Sequence, residues 1–259
     1  MGFLEITKLT KIFGGLAAVM EFNMNIDRGQ IFGLIGPNGA GKSTVLNMIG
    51  GTLRPSRGEI IFNGKEVTKL SAHTRAEQGI GRVFQENLLF ASFTVLQNVL
   101  VGYHLQSPIS PASIFLKTSG YRVQEETLMK KAFDTLEFVG LSEYSDEIAI
   151  NLPHGRQRLL TLAVVLAIQP QLLLLDEPVT GMNAEEVAVM VNMIKALREK
   201  KGITCVVVEH NMRAVMGLCD RIAVLNFGKK IAEGSPQAIV ENKDVIEAYL
   251  GTDEDVASN

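Results

Sequence analysis

The run Gly36-Pro37-Asn38-Gly39-Ala40-Gly41-Lys42-Ser43 fits the pattern G-x-x-x-x-G-K-[S/T], between an apolar strand-like stretch at 31–35 and a helical stretch at 42–49. Glycines at this spacing let the backbone curl so that several N–H groups point inward. The helix N-terminus that follows adds partial positive charge, and together they make a seat for phosphates. Lys42 would reach β and γ phosphates, and the Ser43 hydroxyl would ligate Mg2+. The run Leu172-Leu173-Leu174-Leu175 ends in Asp176 and Glu177. A parallel strand carries its carboxyl end to the sheet edge where nucleotides bind. Asp176 would hold Mg2+ directly or through water, leaving Glu177 free to orient and deprotonate an attacking water. His210, after the run ITCVVVE, would share that edge, where its imidazole could contact a γ phosphate. Gln85, ending a short strand at 80–84, could reach the metal or the water. Taken singly, these are a glycine turn, a solvated carboxylate pair, a structural histidine and a loop glutamine. Their joint occurrence points to phosphoryl transfer to water.

Such residues need a sheet to position them. A chain of 259 residues can bury a real core, as one α/β domain with a smaller lobe, and 46% hydrophobic with 20% charged residues marks a folded chain rather than a disordered one. The net charge of −3 leaves no basic excess to neutralise a nucleic-acid backbone, which argues against nucleic acid as a partner. Cys205 and Cys219 fall in an apolar run and a helical stretch, as small core residues without a disulfide framework or zinc site. The N-terminus MGFLEITKLT lacks a signal-peptide pattern. The most apolar stretch, 159–168, is about half of the roughly 20 residues that span a bilayer.

Along the chain, strands are expected at 4–9, 19–26, 31–35, 60–62 (with an Asn63-Gly64 turn) and 80–84. From 85 to 150 the β pattern gives way to helical patches broken by SPISPASIF at 107–115, read as an inserted helical lobe. Alternation then resumes: a helix from about 155, strand 172–175, helix 184–199 ending before Gly202, strand 203–208, helix 212–218, strand 222–225, a turn at 226–228 and a last helix at 243–250. Continuously apolar strands separated by helices indicate a parallel sheet covered on both faces. The acidic tail GTDEDVASN, 251–259, reads as flexible.

This order of parts resembles the ATP-binding subunit of an ATP-binding cassette (ABC) transporter over nearly the whole chain, 4–250. In that likeness Phe13 matches the aromatic that stacks on adenine, Gly36 to Thr44 the Walker A loop, Gln85 the Q-loop, Leu152 to Gln157 the signature region, Asp176 and Glu177 the end of Walker B, 181–183 the D-loop, and His210 the switch histidine. The stretches GRVFQENLLFASFTVLQNVLVGYH, TGMN and VIEAYLG are similar to the branched-chain amino acid importer ATPases. The resemblance implies a P-loop NTPase ABC cassette of α/β class: a mainly parallel sheet flanked by helices, with an N-terminal antiparallel β subdomain and an inserted helical subdomain at about 86–151. It also implies ATP and Mg2+ as cofactors, transmembrane permease subunits, a second ATPase subunit and a solute-binding protein as partners, and a peripheral place on the cytoplasmic face of the inner membrane. The alternatives are an export ATPase, such as that for lipopolysaccharide, which shares the YLG ending, and a regulatory ATP-binding subunit with little hydrolysis. A soluble cassette acting on DNA or ribosomes is disfavoured, since the second cassette, coiled coils and zinc cysteines typical of such chains are not seen.

In this family two subunits pair head to tail, and each signature loop closes over the ATP held by the other. The usual L-S-G-G-Q is here Leu152-Pro153-His154-Gly155-Arg156, followed by Gln157. Pro153 lacks the hydroxyl and the N–H, and His154 replaces a glycine. Gly155 and the helix N-terminus survive, and Arg156 adds a positive charge that would partly compensate. The expectation is a heterodimer in which a partner supplies the more standard signature, a homodimer being the alternative.

Overall fold

The structure, a computed structural model, describes residues 2–85, 89–104 and 119–254, with the backbone alone for 119–122 and 250–254. The strands are β1 (Leu4–Phe13), β2 (Leu16–Ile26), β3 (Ile31–Ile35), β4 (Arg57–Phe62), β5 (Lys65–Glu66), β6 (Ile80–Val83), β7 (Leu172–Asp176), β8 (Thr204–Val208), β9 (Arg221–Asn226) and β10 (Lys229–Gly234). The helices are α1 (Lys42–Gly50), α2 (Ala72–Glu77), α3 (Val95–His104), α4 (Ser119–Val139), α5 (His154–Leu166), α6 (Ala184–Lys201), α7 (Met212–Leu218), α8 (Pro236–Val240) and α9 (Lys243–Glu254).

Six strands form the central sheet in the order β10-β9-β3-β8-β7-β6, parallel except for the antiparallel edge strand β10. Every residue of β3, β7 and β8 is buried, the pattern of strands covered on both faces. The pleat divides them between two cores. Ile31, Ile35, Leu173, Leu175, Cys205 and Val207 pack with α3, α4, α5 and α6 on one face. Phe32, Leu34, Leu172, Leu174, Val206 and Val208 pack with α1 and the antiparallel sheet β2-β1-β4-β5 on the other. Cys205 and Cys219 are buried and unpaired, and burial pushes both thiols up to about 12.

Between β6 and β7 the described chain is helical, with α3, α4 and α5 sharing Val99, Tyr103, Ala132, Leu136, Leu160 and Ala163 in one core. The SPISPASIF loop lies outside the described residues. Asn183 accepts from the amides of Glu185 and Glu186 while the Glu186 carboxylate accepts from the Asn183 amide, a reciprocal cap that fixes the start of α6. Gly202, at φ 66°, ends it. Helix α9 runs past Leu250 to Glu254, and 255–259 lie outside the described residues.

Helix α2 is absent from the periodic reading, yet it carries Arg75, which is 1% exposed. Its guanidinium donates to the carbonyls of Met48 and Ile49 at the end of α1 and to those of Thr68 and Leu70. Burial lowers its pKa to about 10. Arg75→Ala is expected to destabilise the chain by about 3 kcal/mol, because buried carbonyls lose a charged donor. Chemical denaturation measures this directly; a change under about 0.5 kcal/mol, the scale of an ordinary surface substitution, would contradict it.

Candidate functional site

The glycine-rich turn is forced where the chain passes closest to its neighbours. Gly36 has φ 146°, and a Cβ there would sit 2.0 Å from the Leu225 carbonyl oxygen; Gly41, at φ 100°, would place one 2.5 Å from the Ala18 carbonyl oxygen. No side chain caps α1, so its first amides remain available to an anion. Lys42 closes the curl by donating from Nζ to the carbonyls of Gly36 and Pro37, both at 2.8 Å. Burial lowers the Lys42 pKa, opposed by the nearby charges of Glu177 and Asp176. Residues 38–44, with Ala18, Glu177 and His210, line a cavity of roughly 210 Å³.

Three elements converge on Glu177. It follows β7 with φ 49°, a strained conformation for a residue with a side chain, held by the hydrogen bond its backbone N–H donates to the Val208 carbonyl at 2.9 Å. Its Oε2 accepts from Gln85 Nε2 at 3.0 Å and from Thr180 Oγ1 at 3.2 Å, and its Oε1 meets His210 Nε2 at 2.9 Å. From the sequence, Glu177 is expected to be free, with Gln85 directed at metal or water and His210 at phosphate. In the structure both point at Glu177, because an acceptor-only carboxylate satisfies an amide and an imidazole at once.

Asp176 is buried, and its Oδ2 accepts from Arg82 Nη2 at 2.9 Å. Glu209, 2% exposed, accepts from the amides of Val179, His210 and Asn211 at 2.8, 3.1 and 3.3 Å. It thereby ties the segment after Glu177 to the turn carrying His210. Burial raises its pKa, those amides oppose the rise, and Glu177 adds to it. Arg158 of α5 is also buried and donates to the Phe84 carbonyl beside Gln85. Burial lowers its pKa against the opposing charges of Glu177 and Glu209. Arg82, Thr180, Glu209 and Arg158 are not marked out by the sequence pattern alone. A lone charge inside the strand-like run 80–84 and an acid directly before His210 were the available signals.

Phe13 does not line the cavity; it ends β1, about half-exposed beneath the Lys11 ammonium, on the hairpin that supplies Ala18. The signature residues lie elsewhere. Pro153 precedes α5 at φ −53° and ψ 151°, and no side chain caps the helix start. Leu152 is buried and its carbonyl accepts from Gln157 Nε2 at 2.9 Å. Arg156 stacks over the Tyr144 ring at 4.2 Å, so its charge is engaged within the chain. A Cβ on Gly155 would meet Glu186 Oε1 at 2.5 Å, so a larger residue there would have to displace the capping carboxylate of the chain's own α6. His154 approaches Gly181.

Among the described residues no group of three or more His, Cys, Asp or Glu could hold a metal by itself. The Ser43 hydroxyl and Asp176 carboxylate are hard oxygen donors of the kind Mg2+ takes, one or two protein oxygens completed by substrate phosphates. The donor set fits that ion.

The family described as "ABC transporter" matches residues 19–180. This chain belongs to that family. A second family, "Branched-chain amino acid ATP-binding cassette transporter", matches 229–255. The chain is 39% identical over 248 residues to the high-affinity branched-chain amino acid transport ATP-binding protein BraF of Pseudomonas aeruginosa, covering 96% of this chain and 97% of that one. It is 40% identical, with the same coverage, to LivG of Escherichia coli (strain K12), which carries the same description. The crystal structure of the ADP conformation of MJ1267, an ATP-binding cassette of an ABC transporter, superposes with a TM-score of 0.85 at 30% identity, covering 97% of this chain and 99% of that one. The chain has the cassette fold and is an ATP-binding, ATP-hydrolysing subunit of an ABC transporter. Among the described residues no helix is long and apolar enough to cross a membrane.

Proposed function

We propose that this chain powers uptake of branched-chain amino acids, or of a related small solute, by hydrolysing Mg-ATP on the cytoplasmic face of the inner membrane. The observation that carries the hydrolytic half is the convergence of Gln85 and His210 on Glu177 at the edge of the phosphate cavity. The match of residues 229–255 to the branched-chain cassette family favours the importer over the lipopolysaccharide exporter.

In this reading Phe13 stacks on adenine, Lys42 and the amides of Gly39 to Thr44 hold the β and γ phosphates, and Ser43, Asp176 and Gln85 face Mg2+. Magnesium, when bound, neutralises charge on the phosphate oxygens. Glu177 takes a proton from water as the water oxygen bonds to the γ phosphorus and the bond to the bridging oxygen breaks. His210 holds the Glu177 carboxylate toward that water. The helices within 86–151 face transmembrane permease subunits, and a periplasmic or extracellular protein delivers the solute.

The second cassette is a related chain rather than a copy of this one. Pro153 has neither the hydroxyl nor the N–H of the usual serine, and Arg156 is engaged with Tyr144. One charge-assisted hydrogen bond lost at the γ phosphate is about 1.5–3 kcal/mol, or about one to two powers of ten in rate. The assembled transporter is therefore expected to hydrolyse ATP about 10–100-fold faster per site than this chain alone. Phosphate release, measured for the lone chain and for the co-purified complex, tests this; equal turnover refutes the heterodimer. Identifying the ligand of the complex's solute-binding protein tests the substrate class.

A further inference from the structure

The strand leading to Gln85 carries one charged side chain into the interior of the site. Arg82, whose side chain is 10% exposed, pairs with Asp176, whose side chain is 9% exposed. The same guanidinium donates from Nη1 to Asn47 Oδ1 at 2.7 Å and to Thr52 Oγ1 at 3.3 Å, and it stacks on the Phe84 ring at 4.4 Å. Asn47 lies on α1 and Thr52 just beyond it, so the cation also sits at the negative end of the helix whose first residues are Lys42 and Ser43. Parallel pairing of β6 with β7, which sets Arg82 opposite Leu174, leaves the guanidinium within reach of Asp176, two residues farther along β7. Walker A helix, Q-loop strand and Walker B carboxylate thus meet on one buried cation.

We propose that Arg82 is a resident counter-cation for Asp176, a positioning residue that makes metal binding depend on nucleotide. This rests on the reading of Asp176 as a metal-facing carboxylate. With Oδ2 held by Arg82, the carboxylate is neutralised and turned so that its other oxygen remains for a cation. A divalent ion approaching without phosphates meets a site whose metal-facing carboxylate is already paired with a positive charge, with Lys42 close by. Phosphates supply the negative charge that changes this balance, so ion and nucleotide enter together. Removing Arg82 has two opposed effects on the metal: the carboxylate loses its fixed orientation, and it loses a neighbouring positive charge. The second dominates, since charges only a few ångströms apart in a largely water-excluded site interact far more strongly than the freezing of one short side chain.

The test uses the full chain without nucleotide, with Mg2+ and Mn2+ as probes. Wild type is expected to show no rise in thermal midpoint with either ion up to millimolar levels. Arg82→Met is expected to have a lower midpoint that either ion, but not Na+ at equal ionic strength, restores, with Mn2+ bound at least tenfold more tightly than by wild type. Arg82→Lys keeps the charge and should behave as wild type. Arg82→Met combined with Asp176→Asn should lose the metal response and recover part of the stability. If Arg82→Met does not fold, Arg82→Gln, which keeps a donor toward Asn47 and Asp176 without the charge, should show the same gain in Mn2+ affinity. An Arg82→Met chain, or failing that an Arg82→Gln chain, that binds Mn2+ no better than wild type overturns the inference. A normal Mg2+ requirement for ATP turnover in Asp176→Asn would overturn the reading of the site itself.

Discussion

Glu177→Gln is expected to lower ATP turnover by about 10²–10⁴-fold, the usual worth of a positioned general base, while Mg-ATP binding stays within about threefold of wild type. Glutamine keeps the size and one acceptor oxygen but cannot take the proton. It also breaks the pattern around the position. Glu177 now accepts from Gln85 and Thr180 on one oxygen and from His210 on the other. An amide in its place turns one acceptor into a donor, which conflicts with Gln85 on one side or requires His210 to accept at Nε2 on the other. Binding should survive because Lys42 and the turn amides hold the phosphates, and removing a carboxylate from the cavity wall reduces repulsion with them. Single-turnover phosphate release in the assembled transporter, beside equilibrium binding of a fluorescent ATP analogue, separates the two effects. Turnover within a few-fold of wild type would assign the base elsewhere. Loss of binding and turnover together would make Glu177 a structural residue. His210→Ala, which removes one of the three partners, should give a smaller loss of turnover with binding retained.

The parts of this site readable in the sequence are those whose chemistry depends on neighbours in the chain. The turn from Gly36 to Ser43 is such a part, because its glycines are demanded by local curl and close backbone approach. Strands β3, β7 and β8 are others, since burial on both faces leaves unbroken apolar runs. What stayed hidden depends on register. Arg82 and Asp176 are 94 residues apart, and only the parallel pairing of β6 with β7 and the packing of α1 beneath them bring the two together. Glu209 reads as a polar strand end until three amides are found converging on it. Arg156 reads as a charge offered to an anion until Tyr144 takes it from below. Helices α2 and α8 are too short for periodicity to register. Their caps, Ser71 accepting from the Thr74 amide and Ser235 accepting from the Ala238 amide with Pro236 next, were legible local signals.

Lys42→Ala should weaken ATP binding by about 10–100-fold, the effect of losing about 1.5–3 kcal/mol of charge-assisted hydrogen bonding, and abolish measurable turnover with it. The side chain has two roles in one place. Its ammonium already bridges the carbonyls of Gly36 and Pro37, so the curl is formed before any phosphate arrives. The same group carries positive charge at the cavity, where burial weakens its hold on the proton while Asp176 and Glu177 strengthen it. Phosphates add negative charge on the same side as those carboxylates, so the bound state favours the charged ammonium further. Alanine removes both the bridge and the charge, but it also relieves the desolvation of a buried cation. Folding stability should therefore fall by less than the ~3 kcal/mol expected for Arg75→Ala, since two carbonyls rather than four lose a donor. That difference separates a ligand-directed lysine from a structural one. A large drop in thermal midpoint with an equal drop in affinity would mean the lysine serves the loop alone, and unchanged Mg-ATP affinity at an unchanged midpoint would remove the phosphate seat from the reaction altogether. Lys42→Arg sharpens the test: it keeps the charge on a larger planar head that cannot sit between two carbonyls as an ammonium does. Binding should remain weakened there, showing that the cavity needs a compact charge.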